Sequence, residues 1–242
     1  MTEPDVLAPP PLRVAFVPGV MPDTWARRWR ERVPRVPLEL LAVDEAAALA
    51  HEHDATGEAL ALLADGRADM ALVRLPVDEA GRHVVRLYEE VPVVVVPREH
   101  PVAAYDTIDV GELADEHLLQ DPDLAPPMTT ADMVATIGAG TGIAILPMSL
   151  ARLHARKDVV ARPVHGVAPS TVALVWPRDV SDDRTDYFVG IVRGRTANSS
   201  RSPVPGESAP GPGPGSSERA AAGRSRTPAP RKQRGPRRTG RR

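Results

Sequence analysis

The chain of 242 residues contains no cysteine, which excludes a disulfide framework, a thiolate metal site and a cysteine nucleophile. It has no uninterrupted apolar run near the roughly 18–20 residues that a membrane span needs. The first eleven residues are acidic and Pro-rich and lack the positive start and apolar stretch of a secretory signal. A cytoplasmic location with no membrane partner is therefore expected. Lysine is almost missing: Lys157 and Lys232 are the two among 30 basic residues, a compositional bias from which no function follows. There is no Gly-x-Ser-x-Gly elbow and no phosphate loop. The seven histidines (His51, His53, His83, His100, His117, His154, His165) form no recognised zinc spacing, and His51 and His53, two apart, point to different faces of a helix. The acidic pairs Glu89-Glu90 and Asp182-Asp183 read as solvated surface. No catalytic residue, metal or cofactor is expected, and the chain does not read as an enzyme.

What is present divides sharply in two. Residues 201–242 hold eleven Lys/Arg and two acids, a charge of +9, whereas residues 1–200 carry −11. The formal net charge of −2 is a cancellation of unlike segments. From about residue 196 the composition is Pro, Gly, Ser and Arg, which cannot bury enough apolar surface to offset ordering entropy, so disorder is expected. Arg231, Lys232, Arg234, Arg237, Arg238, Arg241 and Arg242 would neutralise phosphates and release counterions. No aromatic residues are interleaved, so such contact would be non-specific rather than base-stacked. A merely solubilising tail is the alternative.

The body alternates strands and helices. LRVAFVP (12–18), LELLAV (38–43), MALVRL (70–75) and TVALVWP (171–177) read as strands. VPVVVVP (91–97), apolar on both faces, suits a central parallel position. Trp25, Trp29 and Val33 make an apolar stripe opposite Arg27, Arg28 and Arg30 on a helix that starts near Pro22. Asp44 suits an N-cap, a second helical stretch ends at Gly66, and Asp109 could cap a short helix. Thr129 or Thr130 could cap a helix with Met133, Val134 and Ile137, which runs into GAGTGIAILP. Further helices carry Leu150 and Leu153, then Tyr187, Phe188 and Ile191. Short parallel strands joined by helices make an α/β fold.

GAGTGIA contains G-x-G-x-G, but its glycines follow a helix and precede a strand, the reverse of a dinucleotide fingerprint. They fit a tight turn that brings backbone close to a ligand or a facing segment. Two helix N-termini suit an anion: the one after Pro18-Gly19-Val20-Met21, and the one at Met128-Thr129-Thr130. An ordinary cap is the competing reading for Thr130.

Five segments together resemble the effector-binding (substrate-binding) domain of LysR-type transcriptional regulators. They are LRVAFVPG, PRVPLELLAVDEAAAL, LLADGRADMALVRLP, LYEEVPVVVVPREHPVA with its His100-Pro101, and AGTGIAILP. The resemblance implies a two-lobed, type 2 periplasmic-binding-protein-like fold. Its lobe I would be residues 12–97 plus 165–195 and its lobe II residues 98–164, flanked by a flexible 1–11 and a disordered 196–242. It implies a small organic effector, anionic in many relatives, in a cleft walled by Gly19, Val20, Met21, Arg74, Leu75, Met128, Thr129, Thr130, Gly140, Thr141 and Gly142. Arg74 would be its cation, with a surface ion pair as the alternative for that residue. Two departures from the family pattern are read: the first strand begins at residue 12, so the family's winged helix-turn-helix is not expected in this sequence, and the stretch QDPDLAPPM (120–128) is short, so lobe II reads as truncated. The implied function is a small-ligand sensor linked to transcription, with a second copy of the chain as partner. A nucleic-acid-associated protein with the body as dimerisation module, and a solute-binding protein, are the alternatives.

Overall fold

The computed structural model describes residues 9–51, 54–120, 127–180 and 182–194. The backbone forms two sheets. The first comprises β1 (Leu12–Phe16), β2 (Leu38–Ala42), β3 (Met70–Arg74), β4 (Arg82–Glu90) and β9 (Ser170–Pro177), in the order β2-β1-β3-β9-β4. The second comprises β5 (Pro92–Pro97), β6 (Ile108–Asp109), β7 (Ala144–Pro147) and β8 (Val159–His165), in the order β6-β8-β5-β7. Among the described residues six α-helices accompany them: α1 (Asp23–Arg32), α2 (Glu45–Ala50), α3 (Ala55–Ala64), α4 (Thr130–Gly138), α5 (Met148–Leu153) and α6 (Asp183–Val192). The fold is α/β with two sheets, as the strand-helix alternation predicts.

The sheets are mixed rather than parallel. β1 pairs in parallel with β2 and β3, but β9 runs antiparallel between β3 and β4. VPVVVVP is central, as its apolar faces require, yet β5 is antiparallel to both β7 and β8. It was expected in lobe I, but all its partners lie in the second sheet, so the first crossing between sheets falls at Val91 rather than after Pro97. β4 has no clear signature in the sequence. It is a sheet edge whose outer positions hold Arg82, Arg86 and Glu89, and its register shifts between Arg86 and Tyr88, which breaks the alternation that marks a strand.

The first sheet's core closes around Trp29. This side chain is fully buried, its ring meets Tyr187 and Phe188 edge-on at 6.1 and 5.9 Å, and its Nε1 donates to the Val36 carbonyl at 2.8 Å. Thus the stripe on α1 is satisfied by α6, near the other end of the body. A second cluster packs Val134 and Ile137 of α4 on Val93 and Val95 of β5. A third packs Val94 and Val96, on the opposite face of β5, with Ile143 and Val164. β5 is therefore buried on both sides, which explains its unbroken valines.

No described helix is long and apolar enough to cross a membrane. The tail 196–242 with its seven named basic residues, residues 1–8, His53 and residues 121–126 of the short stretch 120–128 lie outside the described residues.

Candidate functional site

The loops that leave β1 and β2 face the first turn of α4 and both ends of the short α5 across a cavity of about 880 Å³, within the range of small-molecule sites. From the first sheet come Phe16, Pro18, Gly19, Val20, Met21 and the run Ala42 to Ala46; from the second come Thr129, Ala131, Asp132, Ser149, Arg152, Leu153 and His154. The shape follows from local chemistry. Pro18 and Gly19 end the strand, with Gly19 at φ +81°, a conformation that costs little without a Cβ. Asp44 caps α2 by accepting from the Ala46 amide at 2.9 Å. Thr129, not Thr130, caps α4: its Oγ1 accepts from the Asp132 amide at 3.1 Å and donates to Asp132 Oδ2 at 2.8 Å. Strand ends and helix starts converge here, leaving apolar walls with a few polar groups.

Gly19, Val20, Met21 and Thr129, which the resemblance would place on a cleft wall, line this cavity. Thr130 stands beside it and reaches across: its amide and its Oγ1 donate to Glu45 Oε2 and Oε1, at 2.7 and 2.8 Å. Met128, half-buried, precedes them in the chain without lining the cavity. The other four expected wall residues beyond Arg74 lie elsewhere. Leu75 lines a separate groove of about 280 Å³ with Pro76, Val77 and Arg86. Gly140, Thr141 and Gly142 form the turn from α4 to β7, where a Cβ at Gly142 would stand 2.5 Å from the His117 carbonyl. Gly142 thus serves a close approach of backbone to backbone, whereas Gly140 at φ +87° has no neighbour within 4 Å of a Cβ, and neither lines the cavity.

Arg74 departs most from expectation. It sits behind Gly19 rather than on the cavity wall, and its donors are engaged. Nε donates to Glu90 Oε2 at 2.7 Å, Nη1 to the Pro18 carbonyl at 2.9 Å and Nη2 to Ser149 Oγ at 3.1 Å. Ser149 Oγ in turn donates to Glu90 Oε1, and Ser170 Oγ to Glu90 Oε2 at 3.2 Å. Glu90 is 6% exposed, so it is no solvated surface acid. It needs a cation because an unpaired buried carboxylate is costly. Burial first, and then the Glu90 carboxylate, push the Tyr88 phenol above its ordinary value, against the opposing pull of Arg74. This cluster joins the ends of β3 and β4 to the start of β9 and to α5, where the chain passes between sheets. A Cβ on Gly19 would lie 2.8 Å from Ser149 Oγ and 3.0 Å from Arg74 Nη2, so the glycine is needed for space as well as for φ.

Sequence reasoning missed Glu45, Asp132, Ser149, Arg152 and His154. Asp44 was legible as a cap, and the first turn it opens is where Glu45 stands. Nothing local announces that Glu45 meets Thr130, 85 residues away. Among the described residues no group of acids and histidines is placed to hold a metal ion.

The family described as LysR substrate binding domain matches residues 9–131. A curated protein named probable hydrogen peroxide-inducible genes activator, from Mycobacterium avium, is 27% identical over 171 residues, covering 61% of this chain and 52% of that protein. The chain thus spans about half the length of that relative. A mutant OxyR regulatory domain from Pseudomonas aeruginosa superimposes with a TM-score of 0.59 at 23% identity, over 77% of this chain and 97% of that one. The BenM effector binding domain with its effector benzoate gives 0.58 at 16% identity, over 76% and 90%. At these identities the two structures bear on the fold.

Proposed function

Given that the chain belongs to the LysR substrate-binding domain family, we propose that it senses a small organic molecule in the cavity between its sheets and passes the change to a regulatory partner. The observation that carries this reading is the cavity of about 880 Å³ with walls from both sheets. A ligand touching both walls stabilises the arrangement in which they are close, and shifts the population by its difference in affinity for the two states. The crossings near Glu90 and Ser170 are where such a movement would hinge, with residues 12–90 and 170–192 on one side and the second sheet on the other. The regulated partner is a second copy of the chain or a DNA-reading segment, in a cytoplasmic setting.

Two chemical consequences follow. The chain has no cysteine, so a response through sulfenic acid or a disulfide is closed to it, although one relative is named for hydrogen peroxide. The basic residues between Arg231 and Arg242 are proposed to add non-specific contact with nucleic acid.

Thermal unfolding of the full chain against a panel of small aromatic and aliphatic acids, amides and alcohols tests the sensing reading. A ligand at 100 times its Kd stabilises by about 2.7 kcal/mol, a clear rise in Tm. Ala131→Trp, which fills the cavity from an exposed position on α4, should abolish that rise while leaving the unliganded Tm close to wild type.

A further inference from the structure

The N-terminus of α4 is the place in this cavity best suited to an anion, and it is already occupied. The Thr130 amide and hydroxyl both donate to the carboxylate of Glu45, which comes from α2 on the opposite wall. A bound carboxylic acid would seek the same pair: an amide at the positive end of a nine-residue helix, plus a hydroxyl, together holding two oxygens. We infer that Glu45 acts as a built-in substitute for an acidic ligand, so that the cavity takes an uncharged, largely apolar molecule and discriminates against carboxylates. This deepens the sensing reading above and rests on it.

Further observations point the same way. Besides Glu45, the lining holds the carboxylates of Asp44 and Asp132, which raise the cost of bringing in another anion. The cation that could have offset them within reach of Gly19 is Arg74, and its guanidinium is paired with the buried Glu90. The remaining guanidinium on the wall is Arg152, an exposed residue at the end of α5, where solvent screens its field. Met21 and Leu153, 76% and 56% exposed, are large apolar side chains on the lining, and a mostly apolar occupant would cover them.

The test uses isosteric pairs that differ in charge: benzoate and benzamide, salicylate and salicylamide, hexanoate and hexanamide. Affinities are measured by calorimetry and by thermal shift on the full chain. The wild type should bind the amide of at least one pair ten-fold or more tightly than its acid. Glu45→Ala frees the Thr130 donors and should reverse the preference within that pair, and adding Thr130→Val to Glu45→Ala should weaken the gained acid binding again. Glu45→Gln, which keeps the side-chain volume, guards against a folding defect in the alanine variant and should narrow the preference. Wild-type binding of acids as tight as or tighter than of amides overturns this inference and leaves the sensing reading standing. An acid-to-amide ratio unchanged by both Glu45 variants also overturns it alone. No response to any pair by any of the proteins overturns both.

Discussion

The carboxylate of Glu90 receives hydrogen bonds from Arg74 Nε and Nη2, Ser149 Oγ and Ser170 Oγ, which joins four separate stretches of chain at one buried charge. Such a cluster is fragile in a particular way. Removing one member strands the other in low dielectric, whereas replacing both with apolar groups removes the penalty together with the pair. Arg74→Met and Glu90→Leu should each cost about 3–5 kcal/mol in urea unfolding, with the double variant losing less than either single one. Additive losses would show that the two side chains act independently. The sequence hid this pair. Arg74 follows a buried strand and looks like an unclaimed cation at a cleft, and Glu90 follows another acid and looks like surface. Their partnership depends on β9 lying between β3 and β4, a pairing that no local pattern specifies.

Among the elements, α6 illustrates how a cap carries tertiary weight. Asp182 accepts from the Arg184 and Thr185 amides at 2.9 Å each, and Thr185 Oγ1 completes the box by accepting from the Asp182 amide at 3.2 Å. The helix so started delivers Tyr187, Phe188 and Ile191 to the core around Trp29. Burial alone would raise the Asp182 carboxyl, but the Thr185 amide and the Arg184 guanidinium and amide outweigh it and hold it below the usual carboxylate range. Asp182→Ala should cost about 1 kcal/mol. Because the folded value is lowered, this contribution is complete above about pH 4 and fades as the pH falls through the folded value. The stability gap between wild type and variant, followed by urea unfolding from neutral pH downward, should therefore close in acid; a gap that widens in acid would contradict the assignment.

Elements bounded by Pro or Gly and built from apolar runs were readable from sequence: β1, β2, β3 and β9 all lie where their residues predict, as do Asp44 as a cap and the stripe on α1. β4 was not, because a charged sheet edge with a register shift has neither a clean period of two nor an apolar run. The direction of β5 was not readable either, since burial on both faces looks the same in parallel and antiparallel company. The cavity was legible to the same extent. Its strand-end loop Gly19–Met21 and helix cap Thr129 follow from local signals, whereas Glu45, Ser149 and His154 depend on which helices face one another.

For the whole molecule, charge is the property that most needs division. A body of −11 repels phosphate, and a segment of +9 attracts it. Removing residues 201–242 should abolish binding to non-specific duplex DNA at low salt, together with the salt dependence of that binding; retained affinity with an unchanged salt slope would place the contact on the body. Ligand sensing is predicted to be indifferent to this truncation, because every group that lines the cavity lies between Phe16 and His154.

The most direct test of the account is to map a stabilising ligand by amide chemical shifts in isotope-labelled protein. The perturbations should concentrate at Gly19–Met21, Glu45, Thr129–Asp132 and Ser149, and should vanish in Ala131→Trp. Perturbations centred instead on the groove of Leu75, Pro76 and Arg86, or unchanged by the tryptophan, would contradict the assignment of the cavity as the sensing site.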